Sequence, residues 1–152
     1  MKPLISPILF LGIMLAMTAL AWVAHRLLRL GHRRGLRRLA RLWQMHYAEA
    51  DLFDIAGRIA ADLPVIGGAD LRVLDIIYAS DERYYCYIFT AEYTRGVVER
   101  QRRESRVMSL REAKDAPHAE HHRPQVAPQD LGLLRQYESL KAVVWPGPGG
   151  HG

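Results

Sequence analysis

Cysteine is almost absent: Cys86 is the only one in the chain, so no internal disulfide can form. That excludes a small scaffold stapled by cross-links and suits a reducing compartment. Lysine is scarce too, three residues against eighteen arginines. Acids are missing from 25–41, and Leu4 to Ala24 holds no charged residue of either sign. Catalytic signatures are also lacking. No serine stands in G-x-S-x-G, no glycine-rich loop resembles a phosphate cradle, and Gly67-Gly68 is only a turn signal. With no cofactor motif and no internal repeat, the sequence leans away from an enzyme, and no cofactor is expected.

What is present is dominated by an uneven charge distribution. The net charge is +5 and the pI about 9.7. Seven of the positive charges are Arg26, Arg29, Arg33, Arg34, Arg37, Arg38 and Arg41, while the chain from Leu42 onward sums to −3. The basicity is therefore a stripe, and the remaining domain is slightly acidic. A global pI of this origin is no argument for nucleic acid as a partner.

The uncharged run from Leu4 to Ala24 spans 21 positions. A helix of that length measures about 31 Å, close to the hydrocarbon thickness of a bilayer. Pro3 and Pro7 sit at its start, where proline is tolerated, and Trp22 stands near its far end, where interfacial aromatics are found. A cleaved signal peptide is the competing reading, with Ala19-Leu20-Ala21 as its cleavage site. The apolar run continues past that site, and seven arginines follow it. The expectation is an uncleaved anchor over 1–24 and a basic juxtamembrane segment over 25–41. By the positive-inside rule the N-terminus lies outside and the C-terminal domain in the cytoplasm. The arginine stripe reads as a topology signal and solvated helix face. A compatible second reading has those seven side chains contacting anionic lipid headgroups.

Beyond the anchor, residues 36–112 read as one α+β domain. Leu36, Leu39, Ala40, Trp43 and Tyr47 fall at helical spacing after Gly31 and Gly35, which predicts a first helix over 36–47. Asp51 reads as an N-cap with Asp54 in the first turn of a second helix, whose stripe is Leu52, Ile55, Ala56, Ile59 and Leu63 and whose end is Pro64. Both helices are expected to cover one face of a sheet. Strands are expected over 71–78 and 84–94, joined by Ser80-Asp-Glu-Arg83, with a third strand or hairpin over 97–110. Short turns imply an antiparallel meander. A proline- and histidine-bearing linker over 113–129, a helix over 130–144 and a disordered tail over 145–152 complete the pattern. The fold class is α+β: an N-terminal transmembrane helix, then a small antiparallel sheet packed with two or three helices.

Candidate chemistry is sparse. His118, Glu120, His121 and His122 have metal-ligand residue types, but they sit among prolines with no cysteine, and a solvated linker is the preferred reading. Tyr85, Tyr87, Phe89 and Tyr93 share one strand face; RNA-binding sheets stack bases on such aromatics, yet packing under two helices is the ordinary explanation. Cys86 reads as a small buried residue, and Asp75, alone in an apolar strand, as solvent-facing. The run Arg100–Arg106 is a charged edge that blunts strand pairing or serves as a docking surface.

The segments Leu36 to Tyr47, Asp51-Leu-Phe-Asp-Ile-Ala56, Ile77-Tyr78 and Tyr87 to Thr94 resemble a group of uncharacterised bacterial proteins with a short membrane anchor before a helix and small sheet. The resemblance covers about residues 4–112 and implies a bacterial inner (cytoplasmic) membrane location, with no activity attached. The leading functional expectation is a membrane-tethered interaction or regulatory adaptor with a protein partner. The runner-up is a ligand-sensing or enzymatic domain with a pocket between helices and sheet. Nucleic-acid binding comes third.

Overall fold

The computed structural model describes residues 7–63, 70–95, 102–115 and 124–145. The chain divides into two compact units, Met1–Arg34 and Gly35–Gly152.

The described part of the first unit is helical and belongs to α1, which spans Pro7–Leu42 and continues into the second unit. An 18-residue window of α1 has a mean hydropathy of 2.1, and none of it is buried. The chain thus carries an N-terminal helix long and apolar enough to cross a membrane. The helix expected from Leu36 is not a separate element, because Gly31 and Gly35 lie inside α1, which runs through them to Leu42. An interior glycine costs a helix only about 1 kcal/mol, and Leu36, Leu39 and Ala40 recover that by burial immediately afterwards. Gly35 also serves packing: a Cβ there would stand 3.3 Å from Leu134.

The first expected helix stops early, at Leu42 instead of Tyr47. Gln44 adopts a left-handed conformation with φ 57°. The Met45 N–H reaches back to the Ala40 carbonyl at 2.9 Å and the Gln44 N–H to that of Arg41 at 3.1 Å. This is a Schellman turn, with Met45 supplying the usual apolar contact. Residues His46–Ala50 then form a strand, β1, which periodicity had assigned in part to the helix.

The second unit is built on a five-stranded antiparallel sheet in the order β1-β2-β3-β4-β5, with β2 Arg72–Ser80, β3 Tyr84–Arg95, β4 Arg102–Ala113 and β5 Gln125–Val126. The expected meander is present. Asp81 closes the β2–β3 hairpin, its carboxylate accepting the N–H groups of Arg83 and Tyr84 at 2.7 and 2.6 Å. The strand expected over 97–110 runs instead from Arg102 to Ala113; 96–101 lie outside the described residues. Part of the expected linker is β5, which pairs with Met108 and Ser109.

The helices do not share one sheet face. The last turns of α1 and helix α3 (Leu133–Val144) cover the face carrying Ile77, Ile88 and Val107, with Tyr137 and Leu140 buried there. Helix α2 (Ile55–Ile59) covers the opposite face, against Ile76, Tyr87, Phe89, Met108 and Leu110. Helix α2 is shorter than its stripe suggested, and Leu52 is 75% exposed. Asp51 still acts as a cap: its carboxylate accepts from the N–H groups of Phe53, Ile55 and Ala56. Asp54 precedes α2 at φ 53° and so stands outside the first turn. The final helix begins at Leu133 rather than Asp130.

Asp75 corrects the solvent-facing expectation. It has φ 54° and sits in a bulge, where Leu74 opposes Thr90 but Ile77 opposes Ile88. Three steps on β2 therefore match two on β3. The extra residue shifts the alternation, so Val73 and Ile76 share one face and Ile77 takes the other.

Candidate functional site

Two recesses in the sheet unit meet at His46, on either side of edge strand β1. The first is an aromatic cleft of about 500 Å³ whose walls include His46, Phe53, Tyr78, Tyr85, Tyr87 and Trp145. Strand geometry explains the gathering. His46 pairs with Tyr78 and Tyr78 with Tyr87, so three neighbouring strands place rings side by side at one end of the sheet. The His46 and Tyr78 centroids are 5.3 Å apart, and Phe53 packs edge-on to Tyr78 at 4.7 Å. Gln44, Ala79 and Ser80 also line it, and among the described residues the lining contains no carboxylate.

Cations lie on two of the rings. Lys114 Nζ stands 4.9 Å from the Tyr85 centroid, and the Arg58 guanidinium 5.4 Å from that of Tyr87. Arg58 is held from behind: it pairs with buried Glu112 on β4 and donates to the Phe53 carbonyl at 2.7 Å. Burial pushes the Tyr87 hydroxyl above its ordinary range.

The second recess, about 400 Å³, lies between the end of α1 and β1 and is lined by Arg37, Arg41, His46, Tyr47 and Glu49, with Ala40 and Met45. Arg37 contacts Glu49 at 3.3 Å and its guanidinium lies 5.4 Å from the Tyr47 ring centroid. Behind this wall runs a chain of hydroxyls. Tyr47 donates to the Asp75 carboxylate at 2.5 Å, Tyr137 donates to the Asp75 carbonyl at 2.7 Å, and Thr90 lies 2.8 Å from the Tyr137 oxygen. Since the Tyr137 proton goes to Asp75, Thr90 is the donor in the last contact. Burial drives the Tyr137 phenol far above its usual range, so it remains a donor at any ordinary pH.

The seven arginines are divided by the structure. Arg26, Arg29, Arg33 and Arg34 belong to the first unit, where Arg26 lies over Trp22 at 5.1 Å. Arg37, Arg38 and Arg41 belong to the second, and Arg37 and Arg41 line the second recess. The tyrosine strand is not an open stacking platform: Tyr87, Phe89 and Tyr93 are buried, while Tyr85 is 43% exposed. Helix α2 supplies the cover that two helices were expected to give.

Cys86 is fully buried on the opposite face, its thiol 3.3 Å from the Val144 carbonyl, and burial pushes its pKa up to about 11. Among the described residues no three His, Cys, Asp or Glu side chains converge as metal ligands, and His118, Glu120, His121 and His122 lie outside those residues. His46, Phe53 and Trp145 were not singled out by sequence reading. Their neighbourhood depends on strand register, which no local sequence pattern displays.

No family model, curated protein or solved structure matches the chain.

Proposed function

We propose that the protein is a membrane-tethered interaction domain, held by α1 in a bacterial inner membrane with its N-terminus outside and its sheet unit in the cytoplasm. The hydropathy of α1 and the seven arginines after its apolar stretch support the tether and its direction. The bacterial setting rests on the sequence resemblance alone. Tethering raises the effective concentration of the sheet unit near other membrane proteins without any new contact.

The observation that carries the interaction role is the aromatic cleft. Its walls offer ring faces together with the hydroxyls of Ser80, Tyr78, Tyr85 and Tyr87, the Trp145 indole N–H and the Gln44 amide. Rings that stack on pyrrolidine and donors that meet free carbonyls are what an extended, proline-containing segment requires. With Lys114 and Arg58 on the rings and no carboxylate among the described lining residues, a neutral or acidic segment fits best. The cleft volume also lies within the range of small-molecule sites, which keeps a ligand-sensing role as the second reading.

The test is titration of full-length protein in neutral detergent with a fluorescent proline-rich decapeptide carrying flanking glutamates, beside its Pro→Ala counterpart. The proline peptide should bind and the counterpart should not, and Tyr85→Ala should weaken binding about tenfold, as loss of a stacked ring implies. Equal binding of both peptides, or indifference to Tyr85→Ala, rejects the docking role. Retention of a small aromatic compound without peptide binding moves the ligand-sensing reading to first place.

A further inference from the structure

We infer that the recess between the end of α1 and β1 is a binding site for a phosphate monoester, with Glu49 occupying the anion's place when the site is empty. This inference stands apart from the peptide cleft, since it uses the other side of β1.

Arg37 and Arg41 are one helical turn apart on α1 and both line the recess, so their guanidinium groups address the same space. Two forked guanidiniums suit the oxygens of a phosphate, which each arginine can engage through two N–H groups.

A helix C-terminus ordinarily repels an anion through its unpaired carbonyls. Here the carbonyls of Leu39, Ala40 and Arg41 are taken up by the N–H groups of Trp43, Met45 and Gln44. These local acceptors are thereby already paired, and the arginines set the polarity of the recess.

The walls are held in place. Arg37 lies against the Tyr47 ring, and Tyr47 is itself anchored to the Asp75 carboxylate at the bulge. The volume of about 400 Å³ accommodates a phosphate with a small organic group attached.

Among the described residues Glu49 is the one carboxylate in the lining, 3.3 Å from Arg37. The two side chains are 53% and 45% exposed, and an exposed pair of this kind is worth at most about 1 kcal/mol. A doubly charged phosphate held by two arginines exceeds that and displaces the carboxylate. The same chemistry is presented by a soluble phosphomonoester and by a phosphatidic acid headgroup.

Titration of the full-length protein separates these sources. Glycerol 3-phosphate is added to protein in neutral detergent micelles, and phosphatidylcholine nanodiscs with and without phosphatidic acid are compared in parallel. Binding of either phosphate probe should fall at least tenfold in Arg37→Gln and in Arg41→Gln, and should tighten several-fold in Glu49→Gln. The probe showing that pattern identifies the source. Binding of neither probe overturns the inference, as does an equal loss in an Arg26→Gln, Arg29→Gln control or indifference to Glu49→Gln. The substituted side chains are exposed, so all variants should keep the wild-type thermal transition.

Discussion

The Tyr137 hydroxyl on α3 donates to the Asp75 carbonyl on β2 at 2.7 Å, joining residues 62 positions apart. Thr90 on β3 donates to the same phenol from 2.8 Å. Tyr137 is completely buried, so its loss leaves two polar groups in the interior without their partner. Tyr137→Phe should therefore cost about 1–3 kcal/mol. Thr90→Val removes a donor but keeps the shape and should cost about 1 kcal/mol. Thermal melts should show both falls, and a double variant should lose less than the sum of the two. Strict additivity would show that the three groups do not act as one network.

Arg58 and Glu112 should behave as a buried pair in which each partner needs the other. Glu112 is only 4% exposed and Arg58 23% exposed. Removing one partner of such a pair typically costs about 3–5 kcal/mol. Arg58→Ala should approach the lower figure in chemical denaturation. Replacing both by Met and Leu should recover most of the loss. The double variant should also weaken the aromatic cleft, because Arg58 fixes the Phe53 carbonyl and lies over Tyr87.

Gln44 occupies the left-handed position of the α1 C-terminal turn, at φ 57°. Glycine is the residue best suited to that conformation. Gln44→Gly should raise stability by about 0.5–1 kcal/mol, whereas a β-branched Gln44→Val should lower it. A melt in which the two variants shift in the same direction would reject the assigned turn.

The pH response should decline on the alkaline side. Burial raises the Cys86 thiol from 9.0 to about 11, with Asp81 also raising it and Arg111 lowering it. The folded state thus holds this proton more tightly than the unfolded chain does. Its stabilising contribution is complete below pH 9 and is lost as pH climbs through 11. Tyr87 and Tyr93, also raised chiefly by burial, add in the same direction at higher pH. Urea midpoints should drop between pH 8.5 and 10.5, and less steeply in Cys86→Ala. A thiol reagent at pH 8 should label Cys86 only at the rate of unfolding; rapid labelling of the native protein would contradict its burial.

The elements that depend on local pattern were legible in the sequence. The apolar helix, the strands around Leu74 and Ile88, their tight turn and the helix bearing Tyr137 and Leu140 all follow from periodicity. Three features were not. The helix expected to begin at Leu36 is the continuation of α1, which carries Gly31 and Gly35 inside it and buries Leu36, Leu39 and Ala40. The strand β1 was hidden because Tyr47 also fits a helical stripe. The Asp75 bulge reversed a face assignment that simple alternation would give. The cleft and the recess were illegible for the same reason, since both are products of strand register. Arginine residues 37 and 41 were singled out in sequence, but nothing local distinguished them from the five others.

The bulge at Asp75 makes β2 a segment whose length matters more than its composition. Val73 and Ile76 face α2, and Ile77 faces α3, only because one residue is interposed between two otherwise regular half-strands. Deleting that residue would carry one half-strand's side chains to the opposite face. Over evolutionary time the stretch from Val73 to Ile77 should accept conservative replacements while rejecting insertions and deletions, as a spacer does in a mechanical linkage.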